Sequence, residues 1–253
     1  MLESTDKVAL VTGASGGIGR EIARRLAADG HLVLAHYGRD AASAAETQRL
    51  IEDDGGEAIP VGADLTRVAS IEQLFDRIDD VLAQRGLTKL DVLVNNAGIA
   101  APGSIDAVDE AAFDRLFDTN TKGTFFVTQQ AVERMRDGGR IVNISSMVSR
   151  AAYPRSIAYG MSKAAINSFS VSLAAGLGDR GISVNAVAPG ATETPFIGAV
   201  ISDPDRLAGT VAGTALGRLG QPRDIAGVVG FLASDDGAWI TGQVIEASGG
   251  MHL

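Results

Sequence analysis

Tyr159 and Lys163 are the two residues of this chain whose types and spacing best suit proton transfer. They are four positions apart, so on a helix they share one face, and Ser146 precedes the tyrosine by thirteen positions. A free tyrosine has a pKa of about 10, too high for efficient proton transfer near neutrality. An adjacent ammonium favours the phenolate, and lowering the pKa to near 7 requires roughly 4 kcal/mol of differential stabilisation. The alternative interpretation is a coincidental pair on a solvated helix face.

Composition excludes several other kinds of chemistry. The 253-residue chain contains no cysteine, which rules out disulfides, cysteine-ligated metals and thiol catalysis. Its three histidines are far apart in sequence, so structural or surface roles are expected for them and no metal site is predicted. The net charge of −9 argues against binding to nucleic acid or to an anionic membrane. The short polar start, Met1 to Lys7, and the lack of a long apolar run predict a soluble cytoplasmic protein.

Short apolar runs alternate along the chain with segments of helical periodicity. Seven strands are predicted, at Lys7–Thr12, His31–His36, Glu57–Ala63, Leu90–Asn95, Arg140–Ser145, Ile182–Ala188 and Gln243–Ala247. Helical segments are predicted between them, at about Gly17–Asp29, Asp40–Asp54, up to Arg85, Asp109–Arg136, Ser156–Asp179 and Pro222–Ala233. This alternation implies an α/β fold: a doubly wound parallel sheet of Rossmann type with helices on both faces, in a single domain over residues 1–253.

The helix that ends near Arg85 has five apolar residues at core spacing: Ile71, Leu74, Phe75, Ile78 and Leu82. In contrast, Ala191–Leu219 is rich in Thr, Gly and Pro and has no clear pattern. Such a long segment inside a compact domain is usually a binding loop, so we predict a substrate lid at about residues 191–217. Thr194 is predicted to cap a short helix that begins at Pro195. A surface excursion without a role is the alternative.

A glycine-rich segment joins the first predicted strand to the first helix. Gly13, Gly17 and Gly19 would allow positive φ and close backbone approach, and the helix N-terminus would attract a pyrophosphate. This strand–turn–helix context predicts a dinucleotide-binding turn, although a purely structural turn is the alternative.

The end of the second predicted strand bears on the choice of cofactor. Folds that prefer NAD place a carboxylate there, whereas this chain has Gly38-Arg39 and no carboxylate until Asp40. Arg39 is suited to pair with a 2′-phosphate, which favours NADP(H) over NAD(H). A solvated loop charge is the alternative for Arg39. Asp64 and Leu65, after the third strand, are placed to border the adenine.

These motifs, taken in order, resemble the short-chain dehydrogenase/reductase family, and most of all its 3-oxoacyl-[acyl-carrier-protein] reductase-like branch. The resemblance covers about Lys7 to Gly250. It rests on TGASGGIG (12–19), NNAG (95–98), Asn120 in TNTKG, Ser146, YGMSK (159–163), the Pro189-Gly190 turn and the stretch 217–250.

The resemblance implies four catalytic residues. Tyr159 would be the general acid when a carbonyl is reduced, and Lys163 would lower its pKa and hold the nicotinamide ribose. Ser146 would donate a hydrogen bond to the substrate carbonyl, and Asn120 would support a water that replenishes the proton. Ser145 is the alternative to Ser146, and the thirteen-residue spacing favours Ser146.

The resemblance also implies a set of cofactor contacts. The pyrophosphate would contact Gly13, Ser15, Gly17, Ile18 and Gly19, and the 2′-phosphate would contact Gly38 and Arg39. The adenine would contact Asp64 and Leu65. The ribose would contact Asn96, Ala97 and Gly98, with Tyr159 and Lys163, and the nicotinamide would contact Pro189, Gly190 and Thr192. The chain departs from the family pattern at two places. Gly16 stands where many NADP-preferring relatives have a basic residue, and the last strand has Glu246-Ala247-Ser248 where relatives often have an aspartate before the glycine pair.

The function implied is NADPH-dependent reduction of a ketone or 3-oxoacyl carbonyl to a secondary alcohol. The partner would be a small carbonyl, alcohol or acyl-thioester substrate. An NAD(P)-dependent dehydrogenase of a sugar, polyol or other secondary alcohol is the alternative, and a catalytically silent dinucleotide-binding scaffold is a remote one. The family implies a homotetramer, formed through about Asp109–Arg136, Ser156–Asp179 and Ala238–Leu253.

Overall fold

The computed structural model describes residues 7–253, and the first six residues of the predicted polar start lie outside this range. Seven parallel strands form one sheet in the order β3-β2-β1-β4-β5-β6-β7. They are β1 (Val8–Val11), β2 (Leu32–Tyr37), β3 (Glu57–Gly62), β4 (Leu90–Asn95), β5 (Met135–Ile144), β6 (Ser183–Pro189) and β7 (Val244–Ala247). The predicted parallel, doubly wound sheet is therefore confirmed.

Helices connect the strands. They are α1 (Gly17–Ala28), α2 (Ala41–Asp53), α3 (Val68–Gln84), α4 (Glu110–Phe117), α5 (Thr124–Arg134), α6 (Ile157–Leu177), α7 (Gly198–Ile201), α8 (Pro204–Ala212) and α9 (Pro222–Ala233). Two separate apolar cores show that helices cover both faces of the sheet. One core contains Phe75 of α3 and Val127 of α5, and the other contains Leu26 of α1 and Val229 of α9.

The sequence pattern was most accurate where one helix face meets a core. All five residues predicted at core spacing on α3 are buried, because apolar residues at a period of 3.6 must share the face that leaves water. The strand ends were less accurate. β5 begins at Met135 and not at Arg140, and β2 runs one residue past His36. The early start of β5 includes Gly138 at φ +78°, a conformation that glycine adopts without strain.

The region 109–136 is interrupted where the sequence predicted a helix-rich segment. A π-helix, Asp118–Gly123, separates α4 from α5, and Asn120 lies within it. A π-helical turn adds a residue to the helix and is frequent at functional sites. Apolar periodicity in the sequence does not reveal such an insertion, because the apolar residues return to the same side of the helix one turn later.

The segment predicted as a lid is partly helical. A 3₁₀ turn, Pro195–Ile197, follows Thr194 as predicted, but the Thr194 hydroxyl does not cap it. That hydroxyl instead donates to the carbonyl oxygen of Thr192 at 3.2 Å. Every residue of α7 and α8 is at least partly exposed, so these two helices lie on the surface.

Two features of the described residues bear on the function classes. Across residues 7–253, no helix combines the length and apolarity needed to cross a bilayer. The same residues contain no group of His, Cys, Asp and Glu side chains arranged to hold a metal ion.

Candidate active site

The predicted site residues gather at the carboxyl ends of the strands. The glycine loop follows β1, the Asn95–Gly98 segment follows β4, Ser146 follows β5, and the Pro189-Gly190 turn ends β6. The chain crosses from β3 to β4 on the far side of β1, so the connections diverge between β1 and β4. In open α/β sheets this divergence forms a crevice in which ligands bind.

Tyr159 and Lys163 both lie in the first half of α6. Lys163 is only 4% exposed, which excludes the interpretation of a coincidental pair on a solvated helix face. Its Nζ donates a hydrogen bond to the carbonyl oxygen of Ile144 at 2.7 Å, and lies 5.9 Å from the centre of the Tyr159 ring. The lysine is thus anchored between α6 and the end of β5.

The pKa of Tyr159 differs from the sequence prediction. Burial raises it to about 12, and a side-chain hydrogen bond with Ser146 lowers it only in part. Burial also lowers the pKa of Lys163 to about 8. The expected lowering of the phenol pKa by Lys163 is absent in this arrangement, because the ammonium is directed at Ile144 and the desolvation cost of the phenolate dominates.

The structure separates the two neighbouring serines. The Ser145 hydroxyl is buried and donates to the carbonyl oxygen of Lys163 at 3.2 Å, so it is used in holding α6 to β5. Ser146 is partly exposed and its hydroxyl interacts with the Tyr159 phenol. It also accepts a weak hydrogen bond from the Val148 amide at 3.4 Å, at the start of a 3₁₀ turn. This geometry favours Ser146 over Ser145 as the group that faces a substrate.

Asn120 is held rigidly by the π-helix and by its neighbours. Its Oδ1 accepts from the Ile99 amide at 2.9 Å, and its Nδ2 donates to the Ile99 carbonyl at 3.0 Å and to the Ser162 hydroxyl at 3.1 Å. A Cβ placed on Gly98 would lie 3.3 Å from Asn120 Oδ1 and 3.5 Å from Lys163 Nζ. A side chain at position 98 would therefore crowd both polar groups.

The glycine loop after β1 is tightly packed at Gly13 and Gly19, whereas a Cβ at Gly16 would meet open space. Gly13 and Gly17 have φ of +66° and +53°. A Cβ on Gly19 would lie 2.2 Å from the Gly13 carbonyl oxygen, so only glycine fits there. The N-terminus of α1, which follows this loop, has no side-chain cap from any described residue, so its amide groups are free to bind an anion.

Three side chains that the sequence analysis did not assign to the site support this loop from behind. His36 Nδ1 accepts from the Gly13 amide at 3.2 Å, and its Nε2 is 3.1 Å from the Ala63 carbonyl, which fixes the tautomer protonated on Nε2. The Thr47 hydroxyl donates to the Ala14 carbonyl, and Arg20 donates to the Ser15 carbonyl. The sequence feature that could have indicated this support is His36, a polar residue at the end of an otherwise apolar strand.

Burial lowers the pKa of His36 to about 4, so the ring is neutral near pH 7. The neutral ring is the form that can accept the Gly13 amide hydrogen and donate to Ala63 at the same time. His36 thereby joins the glycine loop after β1 to the segment before Asp64, which follows β3.

The remaining predicted cofactor residues occupy different environments. Asn96 uses its side-chain amide to donate to the Thr12 and Gly13 carbonyls, at 2.9 and 3.0 Å, so this group stabilises the loop. Leu65 is 7% exposed and packs in the core, whereas Asp64 and Arg39 are exposed at the cleft edge. Thr66 hydrogen bonds, and Arg39 to a lesser extent, lower the pKa of Asp64.

The open side of the cleft near Tyr159 is lined by apolar and aromatic groups. The Phe196 ring lies 6.0 Å from the Tyr159 ring and is 51% exposed. Ile99, beside Asn120, is 38% exposed. Across the cleft, Tyr153 packs edge-on against His252 and contacts the Met251 sulfur. Such walls suit a large, flat apolar ligand better than a small polar one.

Comparison with known proteins agrees with this geometry. A family model described as Enoyl-(Acyl carrier protein) reductase matches residues 13–252. The chain is 45% identical over 247 residues to an uncharacterized oxidoreductase of Methylorubrum extorquens, covering 97% of this chain and 98% of the relative. It is 38% identical over 257 residues to a tetrahydroxynaphthalene reductase of Pyricularia oryzae, covering 96% and 89% of the two chains.

A solved structure is similar over nearly the whole length. It is the angucycline C-6 ketoreductase LanV with bound NADP, which is 45% identical and superposes with a TM-score of 0.94. The match covers 99% of this chain and 97% of that one. Identity and superposition at this level, over nearly the whole of both chains, show that the two proteins share their fold.

Proposed function

The chain belongs to the short-chain dehydrogenase/reductase family, and from this premise we propose that it reduces a ketone on a polycyclic aromatic molecule, with NADPH as the hydride donor. The predicted family and the predicted oxidoreductase class are confirmed by the matches to the family model and to the ketoreductases. The proposal adds the substrate class, the cofactor preference and the roles of individual residues.

We assign proton transfer to Tyr159, with Ser146, Lys163 and Asn120 as its partners. Tyr159 would protonate the carbonyl oxygen from its neutral phenol, the form that burial favours, and efficient transfer requires its raised pKa of about 12 to fall toward neutrality as the phenolate is stabilised. Ser146 would donate a hydrogen bond to the same oxygen as negative charge develops there. Lys163, at the base of the cleft, would stabilise the phenolate formed, and Asn120 would support the return of a proton.

The chain's own residues fit a dinucleotide. The uncapped N-terminus of α1 and the loop in which a Cβ at Gly19 has no room form a cradle for a pyrophosphate. We propose that the contacts are those implied by the family resemblance: Gly13, Ser15, Gly17, Ile18, Gly19, Gly38, Arg39, Asp64, Leu65, Asn96, Ala97, Gly98, Tyr159, Lys163, Pro189, Gly190 and Thr192. When bound, the nicotinamide would supply the hydride.

Arg39 supports a preference for NADP(H). It is exposed at the end of β2, close enough to Asp64 to affect the pKa of that carboxyl. Among the described residues it forms no salt bridge, which leaves its guanidinium available for a 2′-phosphate. LanV is described with bound NADP.

Replacing Arg39 by Ala tests this preference. We expect the Kd of NADPH, measured by nucleotide fluorescence, to rise about tenfold to a hundredfold, since hydrogen bonds to charged groups contribute about 1.5–3 kcal/mol. NADH lacks the phosphate and serves as the internal control, so its Kd should change less than twofold. Equal losses for both nucleotides would contradict the assignment.

The single observation that carries the substrate class is the placement of the Tyr159 phenol beside the half-exposed ring of Phe196. A flat aromatic ketone could stack there while its carbonyl faces Ser146 and Tyr159. The named activities of the Pyricularia reductase and of LanV concern fused-ring aromatic compounds, which supports the same class.

A panel of carbonyl compounds tests the proposal, with NADPH oxidation followed at the nicotinamide absorbance. We expect kcat/KM for a fused-ring ketone such as a tetralone to exceed that for a 3-oxobutanoyl thioester at least tenfold. Oxidation of sugars or polyols with NADP⁺ should be slower still. Preference for the thioester or for a polyol would replace the proposed substrate class, and no turnover of any compound would favour a silent scaffold.

We further propose a homotetramer in the cytoplasm, with residues 191–217 acting as a substrate lid in a single domain. Exposed apolar side chains in the predicted interface segments support self-association. They are the fully exposed Trp239, together with Val244, Phe125 and Val171. Light scattering on Trp239→Glu tests the segment that contains this tryptophan. Unchanged mass would argue against an interface there.

A further inference from the structure

The loop between the catalytic serine and the catalytic helix has an anchor outside the residues assigned to the reaction. This loop, residues 147–155, begins directly after Ser146 and ends just before α6, which carries Tyr159. Its position therefore sets how Ser146 and Tyr159 lie relative to each other. Whatever holds the loop also holds the two groups that must meet one carbonyl oxygen.

One side of the loop is fastened to α6. Asn167 of α6 donates to the Ser149 hydroxyl at 2.8 Å, and this hydroxyl donates in turn to the Ser146 carbonyl at 2.7 Å. The Ser149 amide also donates to the Ser146 carbonyl at 3.0 Å. These neutral hydrogen bonds fix the turn on the helix side, and the Gly103 amide donates to the Arg155 carbonyl at the far end of the loop at 2.9 Å.

The other side is fastened by an ion pair across the sheet. Arg150 donates from Nε to the carboxylate of Glu246, which lies in β7 and is 96 positions away in sequence. The Glu246 side chain is 21% exposed and that of Arg150 is 51% exposed. Glu246 also accepts from the Ser248 hydroxyl, which in turn accepts from the Met251 amide at 3.2 Å.

Ser248 explains one departure from the family pattern. A serine hydroxyl can donate to the Glu246 carboxylate, whereas an aspartate near that carboxylate would repel it. The Ser248 backbone also packs against the turn after β6, because a Cβ on Gly190 would lie 2.7 Å from the Ser248 Cα. Glu246 thus stands where the serine loop, the β6 turn and the last residues of the chain meet.

We propose that Glu246 is a positioning residue for carbonyl reduction, because its pairing with Arg150 holds the loop that aligns Ser146 with Tyr159. The inference rests on the proposed reduction for its kinetic assay. Neither Glu246 nor Arg150 needs to touch the substrate. Misplacing a catalytic group by about 1 Å can cost up to a hundredfold in rate, so loosening the loop at Arg150 should lower kcat about tenfold.

A double-mutant cycle tests the pairing. Glu246→Gln and Arg150→Gln should each lower kcat for the fused-ring ketone about tenfold, and the double variant should be no slower than the slower single variant. The Kd of NADPH should stay within twofold. Arg150→Lys, which keeps the charge, should recover kcat to within about threefold of the unmodified protein.

Arg24→Gln is the matched control. Arg24 pairs with Asp54 at 2.7 Å across the gap between α1 and the end of α2, far from the loop, and has a side-chain exposure of 35%. Exposed ion pairs contribute little to stability, so all of these variants should unfold at nearly the same temperature as the unmodified protein. The control should keep full kcat.

The outcomes separate the inference from the proposed function. Multiplicative losses of kcat in the double variant would overturn the inference. An effect of Arg150→Gln on the ketone KM alone would also overturn it, because Arg150 would then contact the substrate. Hydrogen exchange gives a readout that needs no turnover: amides of residues 147–155 should exchange faster in Glu246→Gln. If the protein reduces no ketone but exchange rises, the proposed function fails and the anchor stands. Unchanged exchange would remove the anchor.

Discussion

The cofactor side and the substrate side of the cleft are built by different means. On the cofactor side, a glycine loop that is tightly packed at Gly13 and Gly19 is supported by the buried side chains of His36 and Thr47. On the substrate side, the walls are a half-exposed aromatic ring and surface helices α7 and α8, and the loop behind them is held by an ion pair with one half-exposed partner. The cofactor is common to a large family, and a rigid frame suits it. The substrate varies within the family, and the exposed side chains that face it can change without unfolding the protein.

Tyr159 lies where the cofactor side and the substrate side meet, and loss of its hydroxyl should have the largest effect on turnover. Tyr159→Phe should lower kcat by about 10²–10⁴, the usual contribution of general acid catalysis. NADPH should still bind within about twofold, since the ring that packs in the cleft is kept. Tyr37→Phe is the control and should keep full kcat, because Tyr37 ends β2 on the cofactor side and its ring packs on Gly62. Retained turnover in Tyr159→Phe would disprove the assigned proton donor.

Acid should weaken the cofactor side through His36. Its pKa of about 4 lies below the ordinary 6.5, so between these values the folded state binds fewer protons than the unfolded state. The His36 contribution to stability is therefore complete above about pH 6.5 and is lost toward pH 4, by about 3 kcal/mol, and burial lowers the pKa of His31 in the same direction. Urea unfolding at several pH values measures this slope.

The loss of stability between pH 6.5 and pH 4 should depend on His36 and not on an exposed histidine. His36→Gln should reduce the loss of stability between pH 6.5 and pH 4, since glutamine does not titrate. His252→Gln, at an exposed position, should leave the curve unchanged. Identical slopes in all three proteins would show that His36 is not the group responsible.

The rigidity of the glycine loop can be tested with two matched alanines. A Cβ at Gly19 would lie 2.4 Å from Asn96 Nδ2 as well as close to the Gly13 carbonyl, whereas a Cβ at Gly16 would meet open space. Gly19→Ala should therefore destabilise the protein by about 1–3 kcal/mol, the usual cost of overpacking. Gly16→Ala should keep its thermal midpoint. Similar thermal midpoints for both variants would mean that the loop can accommodate a methyl group at position 19.

The smallest effect is expected on the substrate side. Phe196→Ala should raise the KM for a fused-ring ketone about threefold to tenfold, because aromatic pairs contribute about 0.5–1.5 kcal/mol. Its thermal midpoint should hardly move, since the ring is half exposed. Phe231→Ala, which removes a 40% exposed ring from α9, is the control and should leave KM unchanged. A large loss of stability in Phe196→Ala would contradict the contrast between the two sides.

Local patterns in the sequence were sufficient for the fold and for part of the geometry of the candidate site. Apolar periodicity identified the core face of α3, and alternating strands and helices identified the parallel sheet. The i,i+4 spacing was enough to place Tyr159 and Lys163 on one helix. These features depend on residues close in sequence, or on a pattern that every strand repeats, so no distant contact is needed to infer them.

Tertiary structure alone decided the environment of these groups. The direction of the Tyr159 pKa depends on burial, and the Lys163 ammonium is directed at a carbonyl in another element. The π-helix around Asn120, the support of Gly13 by His36 and the pairing of Arg150 with Glu246 join positions far apart in the chain. Desolvation and long-range hydrogen bonds arise only when the strands and helices pack, so the sequence determined which groups are present and packing determined their protonation and alignment.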